Sequence, residues 1–349
     1  MNKNLLAIAI TAALALPTMA AAEVKIIGQA QLELVNTTSD AAGVADGITL
    51  DDSAEGKKIS SGNASALGVT GSHDLGNGMT GLYKINYNFH ADDADGETVG
   101  TSTGHALSAR DRFVGLKGDF GTVLIGRVNS PYKTATVKWD PFLATFMQAR
   151  GQNGMSGGKG GVGHNSYADE VIAYANKFGS MKFVGAIALD ETLDANGDIN
   201  GDHVVTFSLN MPVADSLELA LGYFDSTGAG DGTAIKAGLK WTSGDLTVAG
   251  HYENLGKDLN ASGTGEQSNI FVTASKKLGA GASVSASFGS QTDESDADGG
   301  IDGTYTAIGY KKALSKKVSW HAGIVIVDEG VVGSADDITR IGGGIRVKF

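Results

Sequence analysis

Residues 338–349 read Ile-Thr-Arg-Ile-Gly-Gly-Gly-Ile-Arg-Val-Lys-Phe. Ile341, Ile345, Val347 and Phe349 alternate with Arg340, Arg346 and Lys348, so an extended chain here carries one apolar and one cationic face. Terminal segments usually fray, and an alternating one that stops on an aromatic residue is expected to close a sheet instead. A wall with lipid on one side and water on the other asks for this pattern, which makes a transmembrane β-barrel the expectation.

The opposite end gives a destination. Lys3, the apolar run Leu5–Leu16 and the small residues Ala20-Ala21-Ala22 predict a cleaved secretory signal peptide over residues 1–22, leaving 23–349 as one domain. No later stretch approaches the roughly twenty consecutive apolar residues of a membrane helix. The absence of cysteine excludes a disulfide scaffold. Fifty-one glycines and four prolines with 42% hydrophobic residues fit neither collagen nor a disordered chain. Removing Lys3 with the leader takes the net charge from −12 to −13, a balance that argues against nucleic acid as a partner.

Alternation recurs at residues 24–35, 59–73, 79–90, 107–117, 121–128, 167–177, 181–189, 203–211, 216–225, 233–242, 245–253, 268–278, 281–290, 303–312, 316–327 and 338–349. Each has the length of a tilted membrane strand. Seven short turns, such as Leu75-Gly76-Asn77-Gly78 and Phe178-Gly179-Ser180, alternate with eight longer connections. This predicts an all-β fold, a 16-stranded antiparallel transmembrane β-barrel with short periplasmic turns and long extracellular loops. Parity places Tyr83, Ile85, Tyr87 and Phe89, then Leu217, Leu219, Leu221 and Tyr223, then Ile235, Leu239 and Trp241 outward. A soluble β-sandwich or β-solenoid shares the alternation and stays open as an alternative.

Leu67-Gly68-Val69-Thr70-Gly71 with Asp74-Leu75-Gly76-Asn77-Gly78, Arg112 through Gly121 leading into Ile125-Gly126-Arg127, and the strand ending in Phe349 occur in one order and spacing. In these pieces the chain resembles the general porins of Gram-negative outer membranes, particularly the neisserial and related proteobacterial branch. The resemblance implies a homotrimer in the outer membrane, a third loop folded into the lumen as a constriction, and Phe349 as part of the signal read by the outer-membrane assembly machinery.

The third long connection, 129–166, is the longest of the eight, and its apolar run Pro141–Met147 is expected to pack against the inner wall. An external cap or a trimer contact is the alternative. Parity turns Lys84, Arg110 and Arg112 inward; the resemblance puts Arg110 and Arg112 on the basic wall of the constriction and Arg127 where the chain leaves the wall. The loop adds Lys133, Lys138, Arg150 and Lys159 against one acid, Asp140. The expected constriction is therefore Lys84, Arg110, Arg112, Arg127, Lys133, Lys138 and Asp140, in a water-filled channel for small hydrophilic solutes and ions with a weak anion preference.

The other loops are acidic. Residues 36–58, 91–106, 190–202, 291–302 and 328–337 hold 23 of the 39 Asp and Glu, enough to bind divalent cations that bridge to lipopolysaccharide, or simply to form a solvated rim. Asp194, Asn196 and Asp198 imitate an EF-hand start, but Ile199 stands where glycine is required. Gly158–Gly163 spells G-x-G-x-x-G without a preceding strand or a following helix. No catalytic set, metal-ligand spacing or cofactor motif is present, so no enzyme and no cofactor is expected. Two other functions stay open: a substrate-specific channel, and a secreted calcium-dependent adhesin or binding protein.

Overall fold

The computed structural model describes residues 23–349 except 41–43, 45, 52–64, 90, 92–106, 158–163, 190–198, 200, 227–231, 257–258, 260–264, 294–301 and 329–336. The signal peptide expected at 1–22, much of the acidic loops, the EF-hand-like residues and the G-x-G-x-x-G stretch lie outside the described residues. Among the described residues, seventeen strands form one antiparallel sheet. They are β1 (Glu23–Ser39), β2 (Gly47–Asp51), β3 (Ala66–Gly76), β4 (Met79–Phe89), β5 (Leu107–Gly118), β6 (Gly121–Asn129), β7 (Tyr167–Phe178), β8 (Met181–Leu189) and β9 (His203–Ala214). Then follow β10 (Leu217–Ser226), β11 (Gly232–Ser243), β12 (Leu246–Leu255), β13 (Gln267–Gly279), β14 (Ala282–Asp293), β15 (Gly303–Ala313), β16 (Val318–Asp328) and β17 (Asp337–Lys348).

Neighbours in sequence pair in space, and β1 pairs with β17 from Gln29↔Lys348 to Ser39↔Ile338, so the sheet closes on itself. Closure removes the unpaired edge that lipid cannot solvate. The Phe349 N–H donates to the Gly28 carbonyl at 3.0 Å, and the Phe349 ring lies over Gly28.

Seventeen strands fill sixteen wall positions, because β2 and β3 share one. β2 pairs with 33–37 of β1, and β3 pairs with 23–29. Between them the Gln31 N–H donates to Ser65 Oγ at 3.0 Å, and the Ser65 hydroxyl donates to the Gln31 carbonyl at 3.2 Å. One buried side chain thus replaces the missing backbone partner. Of the strand expected at 59–73, residues 59–64 lie outside the described residues; β3 begins at Ala66, and its outward apolar face starts with Leu67.

The two faces follow from alternation. On β1 Leu32 and Leu34 are exposed while Gln31, Glu33, Val35 and Thr37 are buried; on β11 Ile235, Leu239 and Trp241 are exposed while Ala234 and Lys236 are buried. The exposed apolar face meets lipid and the buried, largely polar face looks into the barrel. Among the described residues no helix is long and apolar enough to cross a membrane; strands do the crossing.

Candidate pore constriction

After β6 the chain enters helix α1 (Pro131–Thr136), with Pro131 in its first turn, and a 3-10 turn over Val137–Trp139. The wall side chains that bond this segment lie on the inward side of their strands. The Tyr132 hydroxyl donates to Glu253 of β12 at 2.9 Å, and Asn210 of β9 donates its amide to the Ala135 carbonyl at 2.9 Å. Further on, the Phe146 N–H donates to Glu33 of β1 at 3.0 Å, and Gln31 and Arg346 donate to the Ala144 carbonyl at 2.7 and 2.6 Å. Tyr305 of β15 donates to the Met147 carbonyl. The loop is therefore inside the barrel.

Its seating depends on bare backbone in the wall. Gly154, at φ +138°, meets Gly289 of β14 so closely that a Cβ on either would collide with the other strand's backbone, and a Cβ at Gly323 would strike the Met147 sulfur. Phe142, Phe146 and Met147 join Phe271, Tyr305 and Val325 in one buried apolar cluster. The inward aromatics Phe224, Phe271 and Tyr305 are covered and do not line open water.

Two carboxylates hold the loop. Glu253 receives the Tyr132 hydroxyl, the Ser156 N–H and hydroxyl, and the Lys236 ammonium at 3.2 Å, with the Lys236 and Glu253 side chains fully buried. Glu33 takes the Phe146 N–H and faces His321 Nε2 at 2.5 Å. A third acid, Asp140, is spent within the loop: its two oxygens accept the Phe142 and Ala149 N–H groups at 2.9 and 2.8 Å. Burial raises Asp140 to about 7, against the opposing pull of those two hydrogen bonds. The structure thus corrects its expected place at the constriction, because a buried carboxylate wrapped by its own backbone presents no charge to passing solute.

Opposite the anchored stretch, cations gather around the Tyr167 ring. Lys133 Nζ lies 4.6 Å from its centroid, the Arg127 guanidinium 5.2 Å and the Arg110 guanidinium 5.9 Å. Burial, then the nearby Arg150 and Arg110, lower Lys133 to about 7. Two acids in this region have partners: Asp111 holds Lys84 at 2.5 Å and accepts from the Asn129 amide at 2.7 Å, and Asp169 pairs with Arg127. Arg110 donates to Asn88 and, with Gln29 and Asn86, lines an open recess of about 200 Å³. Lys138, on the same loop, is exposed.

Two bulges aim these side chains. Between Ile85↔Arg112 and Tyr87↔Ala109, β5 spends two residues, Arg110 and Asp111, against one on β4. Between Gly126↔Val171 and Val128↔Ala168, β7 spends Asp169 and Glu170 against Arg127, with Glu170 at φ +55°. Bulges re-aim side chains in this way. The first also corrects the parity reading of Arg112. That residue pairs with outward Ile85, and its guanidinium lies 5.7 Å from the Tyr87 ring on the lipid side, while Phe113 faces inward. Arg110 and Arg112, two apart in sequence, point to opposite faces because the extra residue sits between them.

Tyr167, Glu33, Lys236, Glu253 and Arg346 were absent from the expected site. Glu33, Lys236 and Arg346 had a signal in the sequence, being charged residues on the polar side of alternating strands; that they would contact the loop had none.

The family model for Gram-negative porins matches residues 7–329. Outer membrane porin protein 32 of Delftia acidovorans is 30% identical over 230 residues, covering 63% of this chain and 60% of that protein. The major outer membrane protein P.IB of Neisseria gonorrhoeae is 31% identical over 139 residues, covering 38% of this chain and 34% of that protein. The solved anion-selective porin from Comamonas acidovorans superposes with a TM-score of 0.74 at 20% identity, over 94% of this chain and 100% of that one. With a family model spanning most of its length and a barrel that closes on itself around an internal loop, the chain belongs to the Gram-negative porin family of the outer membrane.

Proposed function

We propose that the barrel is a passive, water-filled channel for small hydrophilic solutes and ions, with a preference for anions set where the internal loop faces β5–β7. The observation that carries this is the Tyr167 cluster: Arg110, Arg127 and Lys133 share one ring, and together with Lys84 these four cations outnumber Asp111 and Asp169, which pair with Lys84 and Arg127. Rings of cationic side chains at a narrow point favour anions. Lys84 and Lys138 contribute charge at the edges, and Arg346 continues the positive path along the wall beneath Ala144. No chemical step is part of the proposal. The anion-selective porin of Comamonas acidovorans shares this fold, which supports this direction.

Reversal potentials of the reconstituted channel in a potassium chloride gradient test it. The chloride-selective sign is expected, and clear cation selectivity overturns it. We further propose a homotrimer, checked by triplet closing steps in single-channel records, and a mature chain that starts at Glu23, checked by sequencing its N-terminus. Lipopolysaccharide contact through the acidic loops, bridged by divalent cations, and recognition of Phe349 by the assembly machinery belong to the same reading.

A further inference from the structure

Charge along β13–β17 is segregated end to end. The stretches 267–292, 303–327 and 338–349 contain no Asp or Glu; the nearest acids, Glu266, Asp293, Asp302, Asp328 and Asp337, all fall at the long-loop end. The short-turn end instead holds Lys276, Lys277, Lys311, Lys312, Lys316, Lys317 and Lys348, in a chain whose net charge is −12. Among the described residues none of these seven lysines forms an ion pair with a carboxylate.

The sheet register sorts them by face. Ile270 and Val272 are exposed on β13, which turns Lys276 outward, and Ile308 on β15 does the same for Lys312. On that outward face Lys276 pairs with Val284, Val284 with Tyr310, and Lys312 with Trp320. The Tyr310 and Trp320 rings pack against each other with centroids 5.2 Å apart. Exposed Ile345 lies opposite Trp320, Leu278, Leu314 and Val347 are exposed at the same end of the strands, and Lys316 and Lys317 follow in the turn after β15. An aromatic pair at strand ends marks the membrane–water interface, and lysines beside it can run their methylenes along lipid while the ammonium reaches the headgroup layer.

We propose that the outer surface of β13–β17 at the short-turn end binds the headgroup of an anionic phospholipid, with Lys276, Lys312, Lys316 and Lys317 around the phosphate and Tyr310 and Trp320 against the glycerol region. The short turns face the periplasm, so the lipid is one of the inner leaflet. This site is separate from the channel. It favours lipid over a soluble polyanion because Lys276 and Lys312 stand on the lipid-facing side of the wall among exposed aliphatic residues.

The test uses the full chain, extracted from outer membranes and reconstituted with equal amounts of phosphatidylglycerol and phosphatidylethanolamine. Native mass spectrometry should show preferential retention of phosphatidylglycerol. K276Q/K312Q/K316Q/K317Q should lower that preference on the order of tenfold, while the inward-facing pair K277Q/K348Q leaves it intact. Equal retention of both lipids by the wild type, an unchanged preference in the quadruple variant, or its loss in the inward pair overturns the proposal. Binding to purified cell-wall sacculi without phosphatidylglycerol preference also overturns it, in favour of a wall partner. Should the quadruple variant fail to fold, a W139F/W241F background isolates Trp320: brominated phosphatidylglycerol should quench it more than brominated phosphatidylcholine, and equal quenching refutes the site.

Discussion

Two buried lysines sit on tyrosine rings inside this barrel, and they do opposite work. Lys236 lies 4.2 Å from the Tyr132 ring and Lys133 lies 4.6 Å from the Tyr167 ring. Lys236 has a carboxylate at 3.2 Å and is fully covered, so its charge is spent on holding the loop. The charges crowding Lys133 are mostly of its own sign, with Asp111 the one opposing carboxylate, so its proton is loosely held, and in the proposed channel its charge acts on passing ions. The local geometry is nearly the same. The second neighbour decides whether the residue is an anchor or a source of potential.

The largest effect is expected from breaking the anchor. Glu253→Leu strands Lys236 without its partner and should cost about 3–5 kcal/mol, read as a fall in the denaturant midpoint of the refolded barrel; adding Lys236→Met should recover most of it. If the single variant unfolds like the wild type, the pair is not an anchor. Next comes the charge cluster. Arg110→Glu with Arg127→Glu should reverse the sign of the reversal potential while leaving the unfolding midpoint close to that of the wild type. A smaller change should follow pH. As pH rises from 6 to 8, Lys133, with a value near 7, loses its positive charge, so anion preference should decline. Lys133→Gln should remove most of that dependence, and a pH-independent wild type would contradict it. The smallest effect belongs to Arg112→Gln, which should leave selectivity unchanged because the side chain faces lipid beside Tyr87.

The barrel was legible because alternation is a property of each strand alone. The exposed faces of β1, β4 and β11 follow directly from the order of Leu, Ile and Tyr against polar residues. The site was legible only in part. Arg110, Arg127 and Lys133, the residues of the proposed constriction, could be named, but Arg112 could not be placed, since one extra residue at a bulge reverses parity and leaves no mark in the residue pattern. Asp140 looked like a pore acid from loop charge alone, whereas its role depends on backbone that curls back nine residues later to Ala149. Glu253 and Glu33 hold the loop across 97 and 113 positions of sequence, a distance at which local pattern carries no information.

The seam between β1 and β17 has a kinetic meaning. Its contacts join residues more than 300 positions apart, as between Gln31 and Arg346, which are separated by 315. Non-local pairing of this kind is slow, because loop closure must be met before any contact compensates it. Until the seam forms, both flanking strands carry unpaired N–H and C=O groups that invite other chains. Folding of this barrel is therefore expected to be a late, all-at-once event, with the chain vulnerable to aggregation throughout its passage to the membrane.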